Sequence, residues 1–168
     1  MSEYKNVIEK MNLIQHPEGG YYRRNWQSLF TGDLKDSSGK VVFQDRRIGS
    51  SIIYLLPSIE VTTWHRVSCD EMWHFYSGSP LRLYVISKLK GLEEMILGPN
   101  VLSGHFVQLI IPRLTWFAAE VIQEDSYSLC GCTLYPSFSY TDFEIAERQK
   151  LLDDYPQYRD TIEKIYNR

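Results

Sequence analysis

Between Val41 and Pro136 the chain is a succession of short segments rich in β-branched and aromatic residues, each closed by Gly, Pro, Ser or Asn, and none has a helical period. The segments read RIGSSIIYLL, EVTTWH, EMWHFYSG, LRLYVIS, EEMILG, HFVQLII, TWFAAEV and YSLCGCTLY. VVFQDRR (41–47) and YYRRNW (21–26) extend the set. Many short strands at regular spacing, broken by turn signals, predict an all-β barrel or sandwich. Without helical stretches between the strands, a parallel βαβ sheet is excluded.

The two ends read differently. Tyr4, Val7, Ile8 and Met11 recur at helical spacing, with Ser2 as the expected cap. HPEGG (16–20) stops this helix, because Pro17 and the Gly19-Gly20 pair demand a turn. The two glycines lack the strand-loop-helix setting of a phosphate loop, so a turn into a strand is the expectation. GDLKDSSG (32–39) reads as a polar loop. Thr141 and Glu144 form a T-x-x-E capping box ahead of Phe143, Ile145, Leu151 and Leu152. Pro156 interrupts, and YRDTIEKIYNR resumes the helical pattern. The prediction is one domain over 1–168, with a barrel over about 20–136 and terminal helices over about 2–12 and 142–167.

A net charge of −3 without like-charge blocks gives no nucleic-acid surface. Apolar runs such as SIIYLL are strand-length, so neither a membrane span nor a membrane partner is expected. The N-terminal stretch is of mixed charge and does not read as a signal peptide. Cys69, Cys130 and Cys132 are odd in number, which points to reduced thiols and a cytoplasmic location. Cys130 and Cys132 flank Gly131 in a strand-like run and should share one face as small core residues.

Chemistry concentrates in WHRVSCDEMWHFYSG (64–78). Alternation puts Glu71, Trp73 and Phe75 on one face of a strand and Met72, His74 and Tyr76 on the other. If the flanking strands pair across the SCD turn, His65 and Glu71 face one interior, walled by Trp and Phe. Such a pair suits acid–base or ligand chemistry in a low-dielectric pocket.

This stretch resembles the first motif of the cupin superfamily: His, one residue, a second His, three or four residues, Glu, six residues, Gly. Here His65, Glu71 and Gly78 stand in register, and Val67 occupies the second His position. The second motif, built on Pro-x-Gly-x-x-His, is matched by PRLTWF, where Leu114 replaces the Gly and Phe117 the His. HPEGGYYRR, SSIIYLL, WHRVSCDEMWHFYSGSPL, SGHFVQLIIPRLTWFAA and YSLCGCTLYPSFSYTDFEIAER together resemble the small, uncharacterised cupins labelled predicted sugar epimerases. That family tends to carry an acidic residue where Arg24 stands. The likeness runs from about His16 to Arg148 and implies a double-stranded β-helix (jelly-roll) barrel.

Three functions follow from the resemblance. In a metal-independent nucleotide-sugar epimerase or isomerase, His65 is the base, Glu71 orients it, and Tyr76 is the acid, with Tyr54 and Tyr135 as alternatives. Arg23 or Arg66 then holds an anionic group such as a phosphate, and Trp64, Trp73, Phe75, Trp116 and Phe117 supply aromatic walls for a base or sugar, with Tyr54 beside them. In a non-catalytic cupin, the same cavity binds a small molecule without turning it over. In a metal-dependent cupin, His65 and Glu71 need help from His74, which alternation sends to the other face, or from His105, which no spacing rule places. The reading of this sequence is no metal and no cofactor. Its expected partners are a small-molecule ligand, a nucleotide sugar among the candidates, and a second copy, since exposed barrel edges and aromatic surface favour a homodimer. His16 reads as a turn residue able to line the barrel mouth.

Overall fold

Alternation along each strand decides which side chains turn inward. In the computed structural model, residues 3–168 are described. They form α1 (Glu3–Met11), β1 (Ile14–Gln15), β2 (Tyr21–Gln27), β3 (Thr31–Lys35), β4 (Val41–Arg47), β5 (Ser50–Pro57), β6 (Val61–Val67) and β7 (Asp70–Gly78). Then come β8 (Leu81–Ser87), β9 (Gly91–Leu97), β10 (Gln108–Ile111), β11 (Trp116–Val121), β12 (Tyr127–Tyr135), β13 (Phe143–Ile145), α2 (Arg148–Asp154) and α3 (Arg159–Tyr166). Among the described residues no helix is long and apolar enough to cross a membrane.

Two antiparallel sheets face each other, ordered β1-β2-β5-β12-β7-β10 and β13-β6-β11-β8-β9. Between them pack Leu56, Trp73, Leu81, Leu83, Val85, Phe117, Ala119, Cys130 and Cys132. Both Cys130 and Cys132 thus lie in one core. The alternate residues of the second sheet, Trp64, Tyr84, Ile86, Trp116 and Ala118, point outward. There Leu151 and Leu152 of α2 and Ile162 and Ile165 of α3 cover them. α2 and α3 are therefore lids on a sheet whose outer face is as apolar as its inner one. The Trp64 indole N–H donates to the Ile162 carbonyl at 3.3 Å and fixes α3 in place.

Three expectations are corrected. β6 and β7 do not pair across the SCD turn; they belong to opposite sheets. β6 takes β11 and β13 as neighbours and β7 takes β12 and β10, so the turn crosses the sandwich. The polar 32–39 stretch is half strand: β3 and β4 form a hairpin around Asp36, whose Oδ1 accepts the N–H groups of Ser38 and Lys40. The Thr141–Glu144 capping box starts no helix. Ser139 accepts the Thr141 N–H in a short turn, and Phe143–Ile145 pairs with β6 as β13. Glu144 instead binds Arg66 on the adjacent strand, and α2 begins only at Arg148. The proposed Ser2 cap lies outside the described residues.

Candidate functional site

The HPEGG segment folds back as a tight turn, with the His16 N–H on the Gly20 carbonyl and the Gly19 N–H on the His16 carbonyl. Gly19 has φ +108°, and a Cβ there would lie 2.1 Å from the Val61 carbonyl oxygen. Only glycine fits that approach. The Tyr54 hydroxyl donates to the Gly19 carbonyl at 2.7 Å and shares a second 2.7 Å bond with Thr62 Oγ1. The turn is thereby pinned to the start of β6, and its middle residue, Glu18, enters the barrel.

Thr63 places both members of a buried pair. Its N–H donates to the Glu18 carbonyl at 2.8 Å. Its own carbonyl accepts from His65 Nδ1 at 2.8 Å. A carbonyl only accepts, so Nδ1 carries the proton and Nε2 of the neutral ring is a lone pair. That Nε2 lies 3.1 Å from Glu18 Oε2. His65 is 1% exposed, and burial pushes its pKa down to about 3. Burial and the nearby Glu71 carboxylate hold the Glu18 carboxyl well above the usual range. The imidazole is thus neutral, and its Nε2 lone pair is in close polar contact with a carboxyl that holds its proton more tightly than usual.

Glu71 reaches the same cavity from the opposite sheet. Burial raises its carboxyl to about 7, against a smaller lowering effect of the nearby Cys132 thiol. The Trp73 indole N–H also favours the Glu71 anion. It is buried without a partner at bonding geometry, so it acts as a near dipole and not through a hydrogen bond. His16 rests edge-on against Tyr22, ring centroids 4.6 Å apart, and burial lowers its pKa to about 4.

These groups line a cavity of about 70 Å³. Its inner part holds His16, Glu18, His65 and Glu71; Val67, Ile52, Leu134, Phe138 and Phe143 are apolar wall; Tyr22, Arg24, Ser50 and Tyr140 complete it. His65 and Glu71 do meet in one interior, but across the two sheets and not through the expected pairing of their strands, and the carboxyl touching the imidazole is Glu18. The sequence reading missed Glu18 as a site residue, and placed His16 only at the barrel mouth. The available signal was HPEGG itself, where a carboxyl sits between a Pro and a glycine pair that forces the chain inward.

The other candidates stand elsewhere. Tyr76 is 51% exposed on the outer face of β7, stacked on His74 and lying over Gly131. Tyr54 is buried, its hydroxyl engaged with Gly19 and Thr62. Tyr135 is exposed beside Gly49. Arg23 falls on the face of β2 opposite Tyr22 and Arg24, and it is Arg24 that lines the cavity. Arg66 points outward, paired with Glu144 at 2.7 Å and lying 4.2 Å over the Trp116 ring. Trp64 and Trp116 belong to the helix-covered outer layer. Trp73 and Phe75 pack in the inner core without lining the cavity. Phe117 is the wall behind the imidazole, ring centroids 4.0 Å from His65.

A usual cupin metal does not fit these residues. The two further ligand positions of the motifs hold Val67 and Phe117, which have no donor atom. Both His74 ring nitrogens are engaged on the outer face, with Thr133 and Gln108. His105 lies beside Gly98, accepting the Asn100 N–H. Among the described residues no three His, Cys, Asp or Glu side chains converge as a metal shell.

Residues 5–146 match the family described as Cupin superfamily (DUF985). Protein SO0799 from Shewanella oneidensis, known from an X-ray crystal structure, is 34% identical over 98% of both chains, with a TM-score of 0.84. A hypothetical protein from Leishmania major is 28% identical over 95% of this chain and 96% of its own, also with a TM-score of 0.84. An oxalate decarboxylase from Bacillus subtilis is similar in fold alone, with a TM-score of 0.53 and 11% identity over 90% of this chain and 36% of its own. No curated protein matches the chain. With the two-sheet barrel, the His65–Glu71–Gly78 motif and these relatives together, the chain belongs to the DUF985 family of the cupin superfamily.

Proposed function

We propose that the cavity binds a small carbonyl compound, a keto sugar among the candidates, and moves a proton on it without a metal, as an epimerase or isomerase does. One observation carries this reading: the Glu18–His65 contact of 3.1 Å shares a cavity with a carboxyl raised to about 7. A group near 7 is present in both forms at neutral pH, which suits general acid–base work. In the proposed step the Glu71 carboxylate takes the proton on the carbon next to the carbonyl. The C–H electron pair moves into an enolate, and the Glu18 carboxyl, held by His65, supplies a proton to that enolate. Solvent exchange then resets both carboxyls. This reassigns the roles expected from the motif: Glu18 is the carboxyl partner of His65, and Glu71 is the second proton carrier.

The test is solvent-deuterium wash-in, followed by NMR, over a panel of keto-sugar nucleotides and shorter ketones. Exchange should occur at the carbon beside the carbonyl and fall at least ~100-fold in Glu71→Gln, in line with the loss of an acid–base residue. Absence of exchange across the panel, or exchange untouched in Glu71→Gln, overturns the proposal. A second reading, binding without turnover, is favoured by the way Glu18 and His65 already satisfy one another. It predicts thermal stabilisation by a metabolite that is recovered unchanged.

A further inference from the structure

We infer that the ligand enters this cavity with an anionic group, a carboxylate or a phosphate, held at Arg24. The inference deepens the acid–base reading by naming the class of compound, and it rests on that reading only for the chemistry at the inner end.

Alternation along β2 sends Tyr22 and Arg24 to the cavity and Tyr21 and Arg23 away from it. Arg46, Arg66, Arg82, Arg148 and Arg168 each have a carboxylate partner, and of the other five arginines only Arg24 lines this cavity. Arg24 has none among the described residues, although it lines a cavity that contains two carboxyls. A guanidinium left unpaired beside such a cavity is a planar fork free for a bidentate anion. Ser50 adds a second donor. It is 1% exposed, its Oγ accepts the Phe138 N–H at 3.0 Å, and its own O–H has no acceptor among the described residues. It too lines the cavity. The Tyr22 and Tyr140 hydroxyls stand beside one another on the same lining.

The lining therefore divides into two chemistries. Arg24, Ser50, Tyr22 and Tyr140 offer donors and one fixed positive charge. His16, Glu18, His65 and Glu71 offer exchangeable protons. Glu18 turns its carboxyl to His65 and makes no ion pair with Arg24. The cavity is small, about 70 Å³, room for only two or three water-sized groups. The anionic group must then sit within a few bonds of the reacting carbon. Short oxo-acids come nearest to that geometry, and a larger compound would have to leave most of its length outside the cavity.

The experiment titrates the full chain at pH 7 with pyruvate, with inorganic phosphate, and with pyruvamide as the uncharged counterpart of pyruvate, read by ligand-observed NMR. At least one of the two anions should bind, and pyruvamide should bind at least tenfold more weakly than pyruvate if the carboxylate is the preferred group. The tighter of pyruvate and phosphate then decides between carboxylate and phosphate. Arg24→Gln should weaken the bound anion at least tenfold, and Arg23→Gln, one residue away on the opposite face, less than twofold. Unfolding curves check that both variants fold. Failure of both anions to bind the native chain overturns the inference, as does affinity unchanged in Arg24→Gln. Arg24-dependent anion binding without deuterium exchange on any carbonyl compound would overturn the proton-transfer reading and leave this assignment standing.

Discussion

Glu18 Oε2 lies 3.1 Å from His65 Nε2, and the two peptide groups of Thr63 hold both residues in place. Nδ1 keeps the ring proton to satisfy the Thr63 carbonyl, so a proton shared in this contact can come only from the carboxyl. A buried imidazolium would also be costly, and burial pushes His65 down to about 3. Histidine side-chain ¹⁵N spectra should therefore show His65 as the neutral Nδ1–H tautomer from pH 5 to 8. In Glu18→Ala its Nε2 resonance should move toward that of a nitrogen without a hydrogen-bond donor. An imidazolium pattern at pH 7 would overturn this assignment and turn the contact into an ion pair.

The barrel was legible from residues 41–136 because alternation and turn residues repeat often enough to outweigh errors in any one strand. The helices were harder. Thr141 to Glu144 satisfies a capping pattern, yet β6 presents an open edge that Phe143–Ile145 completes, and sheet pairing overrides local preference. The site was half legible. The period-2 rule picked the inward faces of His65 and Glu71, but the pairing expected to join them does not form, and they meet from opposite sheets. Glu18 and Arg24 escaped notice for different reasons. Glu18 depends on a turn that closes only against Val61 and Tyr54, contacts made about forty residues along the chain. Arg24 is separated from Arg23 by one register step, which no composition argument resolves.

Gly19 is expected to be irreplaceable. A methyl group there meets the Val61 carbonyl at 2.1 Å with φ at +108°, so the turn would have to leave β6 and withdraw Glu18. Gly19→Ala should cost at least ~3 kcal/mol in denaturant melts, beyond the usual strain of a left-handed alanine. Gly104→Ala is the control: φ is +84° and nothing lies within 4 Å, so only the conformational cost, about 1–2 kcal/mol, applies. Equal losses in the two variants would contradict the packing argument.

Chelation should leave the fold untouched. Val67 and Phe117 offer no ligand atoms where a cupin metal would need them, and His65 Nε2 is already in contact with Glu18 at 3.1 Å. The melting temperature after exhaustive EDTA dialysis should match that of untreated protein within ~1 °C, because a ligand bound only by the folded state would add stability in proportion to its occupancy. A loss of several degrees, restored by one divalent metal, would mean that the pair opens to take a metal after all.

Stability should respond to pH through groups with opposite signs. Glu71 titrates at about 7 in the folded chain against a usual 4.5. The folded state keeps this proton where the unfolded state has lost it, so its contribution is fully present below 4.5 and is lost as pH rises to 7. Glu18, also raised, acts in the same direction. His65 and His16 act in reverse: their pKa values fall from 6.5 to about 3 and about 4, so stability grows as pH rises from those values toward 6.5. Between 4.5 and 6.5 the two carboxyls and the two imidazoles oppose one another, and native stability should be nearly flat. Glu71→Gln removes one carboxyl from this balance. Its stability relative to the native chain should rise by about 2–3 kcal/mol between pH 5 and pH 8, the free energy of a shift of that size over this window. Urea melts at the two pH values measure the difference directly. A difference that does not change with pH would mean that Glu71 titrates near 4.5 in the folded chain, and it would then lose its place as a proton carrier at neutral pH.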